Sequence, residues 1–457
     1  MKNISTHALV VVCVSTLLTA MGGCTMMPRG AGALNRRARE EGAAYRAPAA
    51  MRNIPALPKK PDADELVSYA LVRSPQVEAA YWRFRAALEK IPQAGTQMTT
   101  PMLSGGAQVT NGSVGAGSVS LGIANMGSSD IRWPTKPATD AKIAFQMARA
   151  AEQQFRGAQF LLRQEVLTAW YQLIATRQLI RDAQRQISMY KALAEIAKVR
   201  LATDRGSAVG TIHTLTEISR MKLKLSALRR EEMTDQIHLN LLLNRQPHIP
   251  ILTPAHLPTI SGHLPVLATI IRQALRRNPG LLERRRLLLA AQTAVQRAKL
   301  QYIPNFDLGA TTSLDGTMQN LSAAIMFPVV RYRAIHASIH QAMFDVFQAE
   351  SRIYGNRNQL EQRLAVDLVT MRNDGQQVAL IDRRLLPRLH QMKKFSSVSV
   401  EQGGGGLASG LKYALSAIQI ERLRVGLKLD WLFRQADIET AVAAPLEPVR
   451  APLRPSK

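Results

Sequence analysis

The chain has 457 residues, 46% hydrophobic and 20% charged, which suits two or three folded domains and excludes a disordered protein. Its formal charge is +26, yet the lysines and arginines are spread along helical stretches, with no patch, RNA-binding motif or basic helix interleaved with aromatics. The excess reads as solvated helix faces, and nucleic acid is excluded as a partner.

Lys2 precedes an apolar run from Ala8 to Ala20, and Met21-Gly22-Gly23 leads to Cys24. This reads as a secretory signal (1–23) with a lipoprotein cleavage site, because the run is too short to cross a bilayer. Cys24 would then be the acylated first residue of the mature chain, carrying palmitate or a similar lipid. Cys13 would be lost with the signal, so no internal disulfide is expected. Thr25 stands where an aspartate would mark inner-membrane retention, which favours outer-membrane sorting. No later segment offers about 18 uninterrupted apolar residues, so a crossing would have to be by β-strands.

Residues 24–61 are rich in Ala, Arg and Pro without a sustained period, and predict an extended, lipid-anchored tether. A helical pattern then runs from Asp62 to about Lys90. From Ile91 to Ser129 there is no Asp, Glu, Lys or Arg. Within this gap Leu103, Ala107 and Val109 share one parity against Ser104, Gln108 and Thr110, and Val119, Leu121 and Ile123 alternate with Ser118, Ser120 and Gly122. The pattern predicts a β-hairpin over 101–127, turning near Asn111-Gly112. The uncharged apolar face and a length near the ~10 residues of a spanning strand point to lipid contact by Val109, Leu121 and Ile123.

Between Pro137 and Pro247 there is no proline, and Leu162, Val166, Ala169, Leu173, Thr176, Ile180, Ala183, Ile187, Tyr190, Ala194, Ala197 and Leu201 recur at steps of four and three. That is a coiled-coil seam, predicting one helix from about Asp140 to Ala202. Asp204-Arg205-Gly206-Ser207 ends it, and a helix returns to about Arg245. Pro247, Pro250, Pro254, Pro258 and Pro265 mark a linker over 247–265.

The remainder repeats the plan. Ala70-Leu71-Val72-Arg73-Ser74-Pro75 is echoed by Ala274-Leu275-Arg276-Arg277-Asn278-Pro279. A second hairpin follows over 304–328, with Leu308 and Ile325 on its apolar parity and Asp315-Gly316 at its turn. A helix from about Tyr332 to Val398 should be kinked by Pro387. Glu401 and the run Gly403 to Gly406 turn the chain, and a helix from about Leu411 to Glu439 returns. The halves are tandem repeats, 62–246 and 266–440, with a disordered tail over 441–457. Four strands per chain cannot close a barrel, and an open edge in lipid leaves backbone groups unsatisfied, so several copies must close it together.

These residues resemble the outer-membrane efflux protein family, the TolC-like channel components of tripartite efflux and type I secretion systems. The match runs from about Asp62 to Thr440. It rests on the paired Ala-Leu-x-x-Ser/Asn-Pro helices, Tyr302-Ile303-Pro304, Phe327-Pro328 with Trp133-Pro134, Leu385-Leu386-Pro387 and Ala417-Ile418-Gln419. The resemblance implies a mixed α and β membrane protein: a homotrimer with one 12-stranded β-barrel, four strands per chain, on a tunnel of long antiparallel coiled-coil helices. It implies passive conduction at the outer membrane, reaching into the periplasm and served by a periplasmic adaptor and an inner-membrane transporter. By position, Gly206, Ser207, Gly210, Gly406 and Gly410 would dock the adaptor, and Asp204, Arg205 and Glu401 would form the gate. A polypeptide-secreting transporter as the feeding pump, or a periplasmic coiled-coil scaffold lipoprotein without a pore, are the alternatives.

No catalytic constellation, cofactor motif or metal site stands out. His336 and His340 lie four apart on a predicted helix but lack the glutamate of a zinc-protease motif, and read as a solvated face. The glycine run lacks the Lys-Ser/Thr of a phosphate loop. Met98, Met102, Met318 and Met326 read as gap-filling apolar residues. The chain is not expected to be an enzyme.

Overall fold

The computed structural model describes residues 26–47, 52, 56–96, 99–106, 109–110, 113–114, 118–125, 132–203, 207–260, 264–313, 319–326, 331–401 and 406–446. In chain order these form α1 (Ala31–Glu41), a 3₁₀ turn (Ala43–Tyr45), α2 (Ala63–Arg73), α3 (Pro75–Gly95), β1 (Thr99–Gly106), β2 (Val109–Thr110), β3 (Ser113–Val114) and β4 (Ser118–Asn125). The long helix α4 (Thr135–Ala202) and α5 (Ala208–Leu242) complete the first half. The second holds α6 (Leu267–Arg277), α7 (Pro279–Lys299), β5 (Asn305–Ser313), β6 (Gln319–Met326), α8 (Tyr332–Leu380), a π-helical turn (Ile381–Leu385), α9 (Leu386–Glu401) and α10 (Gly406–Val442).

The repeat is visible in the backbone. An 11-residue helix, one extended residue and a 21-residue helix beginning at proline occur twice, as α2–Ser74–α3 and α6–Asn278–α7. Proline disfavours helical geometry in the residue before it, and Ser74 (φ −67°, ψ 120°) and Asn278 (φ −56°, ψ 119°) respond alike. Pro75 and Pro279 then open the next helix at its first position, where no N–H is needed. The predicted single helix from Asp62 to Lys90 is therefore two helices. Asp62 caps the first through a reciprocal pair with Glu65, at 2.7 and 2.9 Å.

The chain divides into two compact units, each drawing on both repeats: residues 1–43, 80–155 and 280–356, and residues 44–79, 156–279 and 357–457. In the first, α1 buries Ala31, Leu34 and Ala38, and Phe84, Leu88, Ile91, Ala148 and Phe155 add to the core. This corrects the extended tether predicted for 24–61. Arg37 pairs with Glu152 (3.3 Å), and Arg85 donates to Asn35 (2.6 Å). Gly42 lies so close to Tyr81 that a Cβ would fall 2.0 Å from ring atoms, so a larger residue there would have to displace the ring. Three small or aliphatic residues spaced along one face suffice to bury this helix, a signal that its arginines obscure.

In the second unit α4 carries a broad buried stripe, with Leu162, Val166, Leu173, Ile180 and Ile187 on the predicted seam and Leu167, Trp170 and Ile174 beside it. The breadth follows from two neighbours. Thr176 donates to Asp235 of α5 (2.7 Å) and Arg177 pairs with Glu232 (2.7 Å), while Arg185 reaches Glu421 of α10 (3.0 Å). Toward its end the seam opens: Leu201 is exposed. The proline linker is held by side chains, since Asn240 donates to Pro247 O and Ile249 O (3.0 and 2.9 Å) and Arg177 to Ile251 O (2.7 Å).

At Pro387, where a kink is predicted, a π-helical turn at Ile381–Leu385 precedes the proline and α9 continues beyond it. A proline's ring collides with the carbonyl four residues back, and one widened turn absorbs the misfit. Arg424 of α10 holds this turn through Asp382 (2.7 Å). Helix α10 begins at Gly406 rather than near Leu411 and runs to Val442.

Candidate functional site

The sheet is antiparallel in the order β1-β4-β5-β6, so the two hairpins join through β4 and β5. Its register aligns the apolar parities of all four strands. Pro101, Ile123, Leu308 and Ala323 form one row, and Leu103, Leu121, Ala310 and Leu321 the next on the same face. Ser104, Ser120, Thr311 and Asn320 form a row of the opposite parity. Ile325 is paired with Phe306 and exposed. Val109 departs from the grouping: it pairs with Val114 in the separate two-stranded ladder. Strands β1 and β6 end the sheet, each with a single strand neighbour among the described residues.

Where strands meet helices the sequence reasoning missed a clamp. Lys136, in the first turn of α4 and almost fully buried, donates from Nζ to Ile303 O (2.8 Å) and Asn305 Oδ1 (2.5 Å), at the start of β5. Nearby, Asp140 bridges Arg132 (3.1 Å) and Arg297 (2.6 Å), and Arg132 also donates to Thr96 O (3.3 Å) just before β1. The available signal was a lysine between Pro134 and Pro137, charged just beyond the uncharged gap.

At the first tip, Ser207 caps α5 by accepting from Val209 N (3.2 Å). Gly210 has no heavy atom within 4 Å of the place a Cβ would take, and Val209 and Ile212 are exposed at 75% and 63%. An open glycine beside bare apolar residues can receive another helix at close range. At the second tip Glu401 ends α9, Gly406 begins α10, and Gly410 is buried. Cys24, Asp204, Arg205 and Gly206 lie outside the described residues.

Helices α8 and α10 hold an ionic network that the sequence reading also missed. Arg434 contacts Asp367 (3.3 Å) and Asp437 (3.6 Å), and Arg363 contacts Asp437 (3.2 Å). Burial raises the Asp367 carboxyl above its ordinary value and Asp437 adds to the rise, against the arginines. Asp374 is raised by burial and then by Asp430. Lys428 is lowered by burial, then by Arg424. Such groups can hold helices in register, but no cluster of three or more metal-ligating side chains occurs among the described residues. No described helix is long and apolar enough to cross a membrane.

No protein-family model and no curated protein matches the chain. Solved structures do. The open state of the MtrE outer membrane channel of Neisseria gonorrhoeae matches over 84% of this chain and 89% of that one, with a TM-score of 0.70 at 16% identity. The outer membrane protein VceC of Vibrio cholerae matches over 84% and 97%, with a TM-score of 0.68 at 14% identity. The CmeC outer membrane channel of Campylobacter jejuni matches over 83% and 85%, with a TM-score of 0.67 at 12% identity. At these identities the likeness is one of fold. The chain has the fold of these outer membrane channels, in line with the TolC-like resemblance of its paired motifs.

Proposed function

We propose that the protein is the outer-membrane channel of a tripartite efflux system, conducting substrates passively from a periplasmic adaptor and an inner-membrane pump to the exterior. The observation that carries this reading is the four-stranded sheet with aligned apolar rows and two open edges. Backbone groups left unpaired in lipid cost several kcal/mol each, so the edges β1 and β6 call for further strands. Three copies joined edge to edge give a closed barrel of twelve strands, and the long helices supply the tunnel wall. Function then lies in the pore, with no chemistry asked of any side chain.

Within this reading Cys24 carries the lipid anchor, and Gly206, Ser207, Gly210, Gly406 and Gly410 receive the adaptor. Asp204, Arg205 and Glu401 line the periplasmic gate. The exposed apolar residues beside Gly210 support the docking role. The test pairs two measurements on the full chain: conductance of the purified oligomer in a planar bilayer, and capture in cells through a photoreactive residue at Ser207. Discrete pores and a crosslinked adaptor are expected. A non-conducting oligomer that captures no periplasmic protein would leave the scaffold alternative in its place.

A further inference from the structure

The histidine pair that reads as a solvated face in the sequence has a geometry of its own. On α8, His336 and His340 bring their Nε2 atoms to 3.3 Å, with ring centroids 4.4 Å apart. Two nitrogens bound at 2.0–2.1 Å to one tetrahedral ion lie about 3.3–3.4 Å from each other. The observed spacing equals that bite. The same distance suits an N–H···N hydrogen bond, in which one ring carries the proton at Nε2; an ion displaces that proton and sits to one side of the N···N line, since two bonds of 2.0–2.1 Å exceed the 3.3 Å spacing end to end.

The rings are also held in position. Tyr332, one turn before, stacks on His336 (6.3 Å, 24°), and Phe344, one turn after, lies 6.3 Å from His340. Tyr332 is braced in turn by Tyr302 at 6.0 Å. Steps of four place the four side chains in one row along the helix, and packing between aromatic rings limits the rotamers of the two in the middle.

We propose that His336 and His340 form a two-histidine site for one borderline transition-metal dication per chain, of the Zn²⁺, Ni²⁺ and Cu²⁺ class. Imidazole favours these ions over Mg²⁺ and Ca²⁺, which prefer oxygen ligands. With two ligands from the protein and both histidines exposed, solvent completes the coordination, so the ion exchanges readily and is not a structural element. The site does not depend on the channel reading.

The test uses the untagged full chain in detergent, titrated with Zn²⁺ and Ni²⁺ and, as a control, Mg²⁺. The wild type should take up one Zn²⁺ per chain that the double variant His336→Ala/His340→Ala does not, and each single variant should bind at least about tenfold more weakly, since loss of even a supporting partner costs that much. Bound Cu²⁺ should show the electron-spin signature of two imidazole nitrogens, reduced to one in either single variant. A spacing control, His340→Ala with Gln341→His, keeps the histidine count but moves the second ring off the row, and should bind no better than His340→Ala. Equal Zn²⁺ uptake by the wild type and the double variant, or full binding by the spacing control, overturns the proposal.

Discussion

The two repeats share a backbone plan and differ in what their side chains do with it. Their opening helices have the same lengths, and they share a one-residue break that an X-Pro step fixes whatever X is. The side chain of X is then free. Ser74 stays local, accepting from Val77 N at 3.4 Å, while Asn278 donates across to Ala441 O at 2.9 Å. The long helices diverge further. The first runs unbroken for 68 residues, whereas the second spends a widened turn on Pro387. Duplication thus preserves what proline and hydrophobic period dictate and leaves tertiary contacts to each copy.

Arginine placed in the sheet tests the part that both repeats share. Leu121 and Leu308 sit on different hairpins but on one apolar face. If that face meets lipid, Leu121→Arg and Leu308→Arg each cost roughly 2–4 kcal/mol near the midplane, enough to abolish assembly. Heat-resistant oligomer in outer-membrane fractions should disappear for both; survival of one would show that the two hairpins are not equivalent.

A smaller effect should separate the repeats. Lys136 and Arg333 are each the second residue of a long helix, but Lys136 is clamped to the start of β5 and Arg333 is exposed. Lys136→Met removes two charge-assisted hydrogen bonds and should cost about 2–3 kcal/mol, with Arg333→Met near neutral. Denaturant midpoints of the purified protein read the difference, and equal midpoints would remove the clamp. At the helix breaks, Asn278→Ala should cost about 1 kcal/mol through the lost bond to Ala441, and Ser74→Ala about 0.5 kcal/mol, since its cap bond is long. The reverse order would mean that the local cap outweighs the tertiary contact.

Much of this plan was legible in the sequence, and the misses share a cause. Period-two and heptad patterns report which face an element buries, so the hairpins and the α4 seam could be read from Leu121, Leu308 and Leu162 onward. Pattern reports nothing about partners distant in sequence. That hid the burial of Lys136 against residues 303 and 305, the joining of Arg434 to Asp367, and the packing of α1, whose apolar face consists mainly of alanines. Pro387 marked an irregularity in the second long helix, but not that a π-helical turn precedes it or that Arg424 of α10 pairs with Asp382 in that turn. The histidine pair was found by spacing, but its bite is a matter of ring orientation, which no spacing contains.

The least effect is expected from the buried carboxylates, and it probes whether both repeats bear the same electrostatic cost. Asp367 in the second repeat and Asp235 in the first are both raised above their ordinary value chiefly by burial; Thr176 opposes the shift at Asp235, and Arg434 and Arg363 oppose it at Asp367. A carboxyl raised in the fold binds its proton more tightly there than in the unfolded chain. Its contribution to stability is therefore present at low pH and is lost as pH rises from the ordinary carboxylate value through the raised one. Asp367→Asn and Asp235→Asn remove the ionisation while keeping an acceptor, and Arg434 and Arg363 retain Asp437 as a partner. Each variant should melt slightly above the wild type at neutral pH, with the gap closing on acidification through that window. A melting difference that is constant with pH would mean that neither carboxylate is strained in the folded chain.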